Sequence, residues 1–110
     1  MKDRSERLSR IKALIQQRKY RLRSHAVQHM IKEGFSEKDI LGVVSSGQLL
    51  ESYDEESRCL ILGSFEADDS FVSPLHVLCD YSNEELVDIV TAYIPQKPWW
   101  HTETRRGRIQ

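Results

Sequence analysis

Two histidines and a tyrosine stand in spaced segments of this chain: Tyr20-Arg21-Leu22-Arg23-Ser24-His25-Ala26, Pro74-Leu75-His76-Val77 and Val90-Thr91-Ala92-Tyr93-Ile94-Pro95. Imidazole exchanges protons most readily near neutral pH, and a phenol or cation beside it steadies developing negative charge. Metal-free RNA cleavage needs a base for the ribose 2′-hydroxyl, a donor or cation for the phosphorane and an acid for the 5′-oxygen. His25, His76 and Tyr93 are therefore the candidate catalytic residues.

His25 follows a basic run at a helix start, where the helix N-terminus lowers imidazole basicity and favours a neutral donor. Its ordinary role would be to buttress that helix. His76 alternates with Leu75 and Val77, so it points away from them. If those two are core, His76 lies on the open face of a sheet. Tyr93 alternates with Thr91, which puts both on one strand face, with core packing as the competing role for the tyrosine. Lys19, Arg21, Arg23 and Arg58 are candidate phosphate ligands, and Thr91 joins them as a substrate contact. Each cation also reads as an ordinary solvated side chain. His25 and His29 are four apart and share a helix face, but a third ligand is missing, so neither a metal nor another cofactor is expected.

The net charge of −1 conceals an asymmetry. Residues 1–23 carry nine Lys or Arg against two acids, residues 24–98 carry four against fourteen, and the remainder returns to +2 through Arg105, Arg106 and Arg108. A basic arm and tail can engage phosphate, whereas the acidic body repels a polyanion. The arm can equally dock on an acidic patch of its own or a partner chain. Cys59 and Cys79 fit neither a disulfide framework nor a metal motif. They read as reduced strand cysteines, with a cross-strand disulfide as the minor alternative. The apolar stretches are too short for a bilayer and the start of the chain is charged, so a soluble, cytoplasmic protein is expected.

The elements that must position these residues change period along the chain. Leu8, Ile11, Leu14 and Ile15 recur at helical spacing. Ser24 reads as an N-cap for a second helix with Ala26, Val27, Met30 and Ile31 on its apolar side and Gly34 at its stop. Ser36 and Asp39 form a capping-box pattern before Ile40, Leu41, Val43 and Val44, with an end near Gly47. From Gln48 four strands follow, at 49–53, 58–65, 74–81 and 86–94, joined by short polar connections. The pattern predicts an α+β fold with N-terminal helices packed on a four-stranded, mainly antiparallel sheet. It divides into a basic amphipathic helix at 1–19, one core domain at 20–98 and a tail at 99–110, with Trp99 and Trp100 as anchors.

Tyr20, Leu22, His25, Ala26, Phe35, Ser36, Asp39, Ile40, Gly47, Glu51, Tyr53, Leu62, Gly63, Pro74 to Val77 and Val90 to Pro95 occur in the order of a known pattern. In this the chain resembles the bacterial domain-of-unknown-function family numbered 4258. That resemblance implies a helix-then-sheet fold similar to toxins of the RelE, MqsR and BrnT kind. It also implies a toxin-like endoribonuclease of a type II toxin-antitoxin system, with RNA as substrate and a zinc-finger antitoxin of the YgiT or MqsA type as partner. In RelE-like folds the last strand contributes to the active site, which makes Tyr93 a candidate to stack on a base or donate to phosphate.

A non-catalytic protein- or nucleic-acid-binding module is the competing class, and a structural subunit of a larger complex is a third. Convergence separates them: an enzyme gathers His25, His76, Tyr93 and an arginine around one concavity, whereas a binding module leaves them dispersed.

Overall fold

The computed structural model describes residues 4–67, 71–96, 100 and 102–106. Trp99, weighed above as an anchor, lies outside them. Helix α1 (Arg4–Gln16) buries Ile11, Leu14 and Ile15. Its basic face meets the body: Arg7 bonds Asp54 at 2.5 Å and Ser52 at 3.2 Å, and Arg10 donates to the Asn83 carbonyl. The N-terminal helix is thus packed into the core and docks on acidic and polar groups of its own chain.

Strand β1 (Tyr20–Leu22) corrects the four-stranded expectation. It runs parallel to the last strand, Tyr20 opposite Val87 and Leu22 opposite Ile89, and makes the sheet five-stranded and mixed. Three residues with one apolar partner at each end are too short to announce a strand by alternation. They are held by the neighbouring chain, with Val87 N donating to Lys19 O and Arg23 N to Ile89 O.

Helix α2 (Ser24–Glu33) begins at Ser24 itself, and extended Arg23 takes the cap position with no side-chain cap bond, so Ser24 is not the N-cap. Gly34, at φ 81°, ends it as expected by donating to Met30 O. Helix α3 (Glu37–Ser46) carries the full capping box, Ser36 Oγ accepting from Asp39 N and Asp39 accepting from Ser36 N, which stabilises a helix by about 1 kcal/mol.

Strands β2 (Gln48–Tyr53), β3 (Arg58–Glu66), β4 (Val72–Asp80) and β5 (Val87–Tyr93) form the antiparallel part of the sheet. The order is β1-β5-β4-β3-β2. Cys59, Ile61, Phe65, Leu75, Val77, Cys79, Val87, Ile89 and Ala92 join the helices in one core. α3 comes close enough to β3 that a Cβ on Gly63 would lie 2.9 Å from Val43 Cγ1. Cys59 and Cys79 are free, buried and directly opposite each other on that side. Burial pushes the Cys59 thiol up to about 12, which removes its thiolate reactivity. Among the described residues, no helix is long and apolar enough to cross a membrane.

Candidate functional site

The sheet face away from the helices carries the chemistry, and two bulges decide what stands on it. On β2 the partners of Leu49 and Glu51 are the adjacent residues Ile61 and Leu60, so Leu50 is extra. On β5, Thr91 and Ile89 pair with the adjacent residues Leu78 and Cys79, so Val90 is extra. One extra residue reverses the in-out parity of everything after it. Glu51 and Tyr53, and likewise Thr91 and Tyr93, thereby reach the far face beside His76, Leu78 and Leu60.

His76 is fully buried there. Its Nε2 lies 2.7 Å from the Glu103 carbonyl, which can only accept, so Nε2 carries the proton and Nδ1 accepts from the Tyr93 hydroxyl at 3.3 Å. The Tyr93 oxygen in turn accepts from Trp100 Nε1 at 3.2 Å. The Trp100 ring stands edge-on to the imidazole, centroids 4.4 Å apart at 87°. Burial holds the His76 pKa below its ordinary value, with nearby Arg106 acting in the same direction, so the ring is neutral at pH 7. Burial raises the Tyr93 phenol.

The cover over this pair is short. Arg106 donates twice to Glu51, at 2.7 and 3.2 Å, and once to the Tyr53 hydroxyl at 3.1 Å, with its guanidinium 4.3 Å from the Trp100 ring. Tyr53 also donates to Glu51. The Arg106 bond is the main reason that the Glu51 carboxyl lies below its usual range.

Beside Tyr93 opens a cavity of about 460 Å³, lined by His29, Lys32, Glu33, Tyr93, Trp100 and Arg106 among others. His29 Nδ1 bonds the Glu33 carboxylate one helical turn away, which places the proton on Nδ1 and leaves Nε2 as the basic nitrogen. The other Glu33 oxygen accepts from Ile94 N and ties α2 to the end of β5. The His29 and Tyr93 ring centroids are 6.4 Å apart. Imidazole, phenol, two cations and an aromatic face thus converge on one concavity.

His25 is elsewhere. It is exposed at the start of α2 and lines a second depression with Arg21, Arg23, Arg58, Asp80 and Asp88. Arg21 grips Asp88 at 2.7 and 3.1 Å, Arg23 approaches the same carboxylate at 3.6 Å, and Arg58 bonds Asp80 at 3.0 Å. The three arginines expected to hold phosphate are together, each paired with an acid. Lys19 is exposed at a separate edge with Arg18 and Glu85, and Thr91 is half-buried opposite Leu78. The structure brings His76 to Tyr93 and His25 to the arginines, and Arg58 stands between the two groups, lining one depression with His25 and another with Tyr53, Tyr93 and Arg106.

A family model described as Domain of unknown function (DUF4258) matches residues 22–94. The chain belongs to this family. Comparison with curated proteins and with solved structures finds no match. The DUF4258 match runs from the last residue of β1 to just past β5, so it includes His25, His29, Glu33, Glu51, Tyr53, His76 and Tyr93 and ends before Trp100 and Arg106.

Sequence reasoning assigned no catalytic role to His29, Glu33, Glu51, Tyr53 or Arg106. His29 and Glu33 did carry a signal, an imidazole and a carboxylate four residues apart on one helix face. Glu51 and Tyr53 stood in the family pattern, but nothing local aimed them at the site, because only the bulge at Leu50 turns Glu51 to the face of His76.

Proposed function

We propose that this chain is a metal-independent endoribonuclease, RelE-like in character and the toxin half of a type II toxin-antitoxin pair in the cytoplasm. It cleaves single-stranded RNA at the end of β5, where the end of α2 meets the far face of the sheet. The observation that carries the reading is the convergence of His29, Lys32 and Tyr93 on one cavity with His76 directly behind the phenol.

His29 Nε2, with its tautomer fixed by Glu33, accepts the proton of the 2′-hydroxyl, and the freed 2′-oxygen attacks phosphorus. Lys32 stabilises the charge that grows on the phosphorane oxygens. In the cleaving form His76 is an imidazolium: its Nδ1 proton passes to the Tyr93 oxygen as the Tyr93 hydroxyl proton passes to the departing 5′-oxygen, which leaves His76 neutral. The products are a 2′,3′-cyclic phosphate and a 5′-hydroxyl. The arginine depression beside His25 holds flanking phosphates, and a cognate antitoxin, of zinc-finger type as the family resemblance implies, restrains the enzyme in the cell.

Induced expression of the wild type should arrest growth and leave cellular RNA with cyclic-phosphate ends. His29→Ala, His76→Gln and Tyr93→Phe, each shown folded by circular dichroism, should abolish both. Unimpaired growth with unchanged RNA ends on expression of the folded wild type counts against the enzyme. A second reading, a non-catalytic binding module, draws on the separation of His25 from His76 and on the acid paired with every arginine around it. It requires RNA binding that survives with no cleavage.

A further inference from the structure

The family match ends at residue 94, yet Trp100, Glu103 and Arg106 cover the far-face residues that lie inside it. Trp100 is 3% exposed, and Leu60 and Leu62 are buried on the far side of the sheet from the helices, outside the main core. The segment is closed on itself: Trp100 and Arg106 form an antiparallel bridge, Thr102 N donates to Arg105 O, and Thr102 Oγ1 accepts from Arg105 N. These bonds tie the described residues of the segment to one another.

We propose that Trp100 with residues 102–106 forms an autoinhibitory strap occupying the place of single-stranded RNA on the sheet, which RNA displaces before His76 and Tyr93 act; this rests on the endoribonuclease reading above. Each polar group of the pair is engaged by the strap or by the other member. The Glu103 carbonyl takes the His76 Nε2 proton, and the Trp100 indole takes the Tyr93 oxygen and stands edge-on against the imidazole, filling the space a ligand would need to reach the pair. The latch is Arg106, whose side chain is 53% exposed and that of Glu51 27%. An ion pair so open to water holds weakly. A phosphate competes with Glu51 for the same guanidinium, so the ligand itself helps to unfasten the strap.

The test uses the full chain as wild type, Trp100→Ala and Arg106→Gln, each checked by circular dichroism. Two quantities are read: the rate at which diethyl pyrocarbonate modifies His76, followed by peptide mass spectrometry, and the affinity for a 2′-O-methyl oligoribonucleotide that cannot be cleaved. Arg106→Gln should raise His76 modification by roughly two- to fivefold, the range expected for losing one exposed ion pair, and Trp100→Ala, which removes a buried ring, should raise it further. Trp100→Ala, which leaves the charge unchanged, should bind the oligonucleotide more tightly by a similar factor. Unchanged His76 reactivity overturns the strap. Newly reactive His76 with weaker oligonucleotide binding also overturns it, because the segment would then be part of the binding surface. Newly reactive His76 with no binding by any of the three proteins overturns the RNA reading and leaves the segment as a cover on His76.

Discussion

Glu51 and Tyr93 share a face of the sheet because one extra residue precedes each of them, Leu50 on β2 and Val90 on β5. Arg106 then crosses to Glu51 while Trp100 caps Tyr93. Glu51→Gln keeps the shape and removes the charge. Its bond to Arg106 holds the wild-type carboxyl below the ordinary value of 4.5, so this stability is present above that value and is lost as pH falls through the folded pKa. Urea unfolding at pH 7 should show the variant weaker by up to ~1 kcal/mol, and the difference should vanish in strong acid.

His76 gives a second pH limb with its own window. Burial depresses its pKa below 6.5, so the unfolded chain binds the proton first and stability falls as pH drops below about 6.5. The slope from this group can reach ~1.4 kcal/mol per pH unit until the folded ring titrates. Arg106, Glu51 and Glu103 act on this ring, and Glu51 acts later, in the carboxylate range. His76→Gln should flatten the decline between pH 6.5 and 5. Denaturant midpoints at half-unit pH steps measure it.

Three glycines test the packing of α3 and the ends of the helices. A Cβ on Gly47 would lie 2.4 Å from Val43 O and 2.5 Å from Leu62 O, whereas one on Gly42 meets nothing within 4 Å. Gly47→Ala should cost about 3 kcal/mol or more. Gly42→Ala, in a helix interior, should stabilise by ~0.5–1 kcal/mol. Gly34→Ala, at φ 81°, should cost about 1 kcal/mol. Chemical denaturation of the three variants orders them.

Asp88 is buried beneath Arg21 and Arg23. Asp88→Asn releases both guanidiniums and adds one positive charge to the depression around His25. The RNA affinity of a folded variant should rise, and its salt dependence should steepen by about one counterion. Fluorescence anisotropy across a salt series reads both.

The helices and β2 to β5 were legible because their signals are local. The Ser36–Asp39 capping box, Gly34 and the alternation of Leu75 and Val77 around His76 all depend on neighbours within a few residues. β1 was not legible as a strand, since three residues exist in that form only by virtue of Val87 to Ile89 beside them. The site was half legible. His76 and Tyr93 were named and they meet, but strict alternation from Val87 and Ile89 would put Tyr93 against the helices, and only the bulge at Val90 turns it away. Arg106 and Trp100 reach the site by a fold-back that no periodicity announces.

The most direct test of the central claim is single-turnover cleavage of a labelled single-stranded RNA in EDTA by the wild type, Trp100→Ala and Trp100→Ala/His76→Gln. Cyclic-phosphate products are expected from the wild type, with faster cleavage once Trp100 is removed and a loss of about a hundredfold or more when His76 is replaced in that background. Intact RNA with all three folded proteins, or cleavage undiminished without His76, would contradict it.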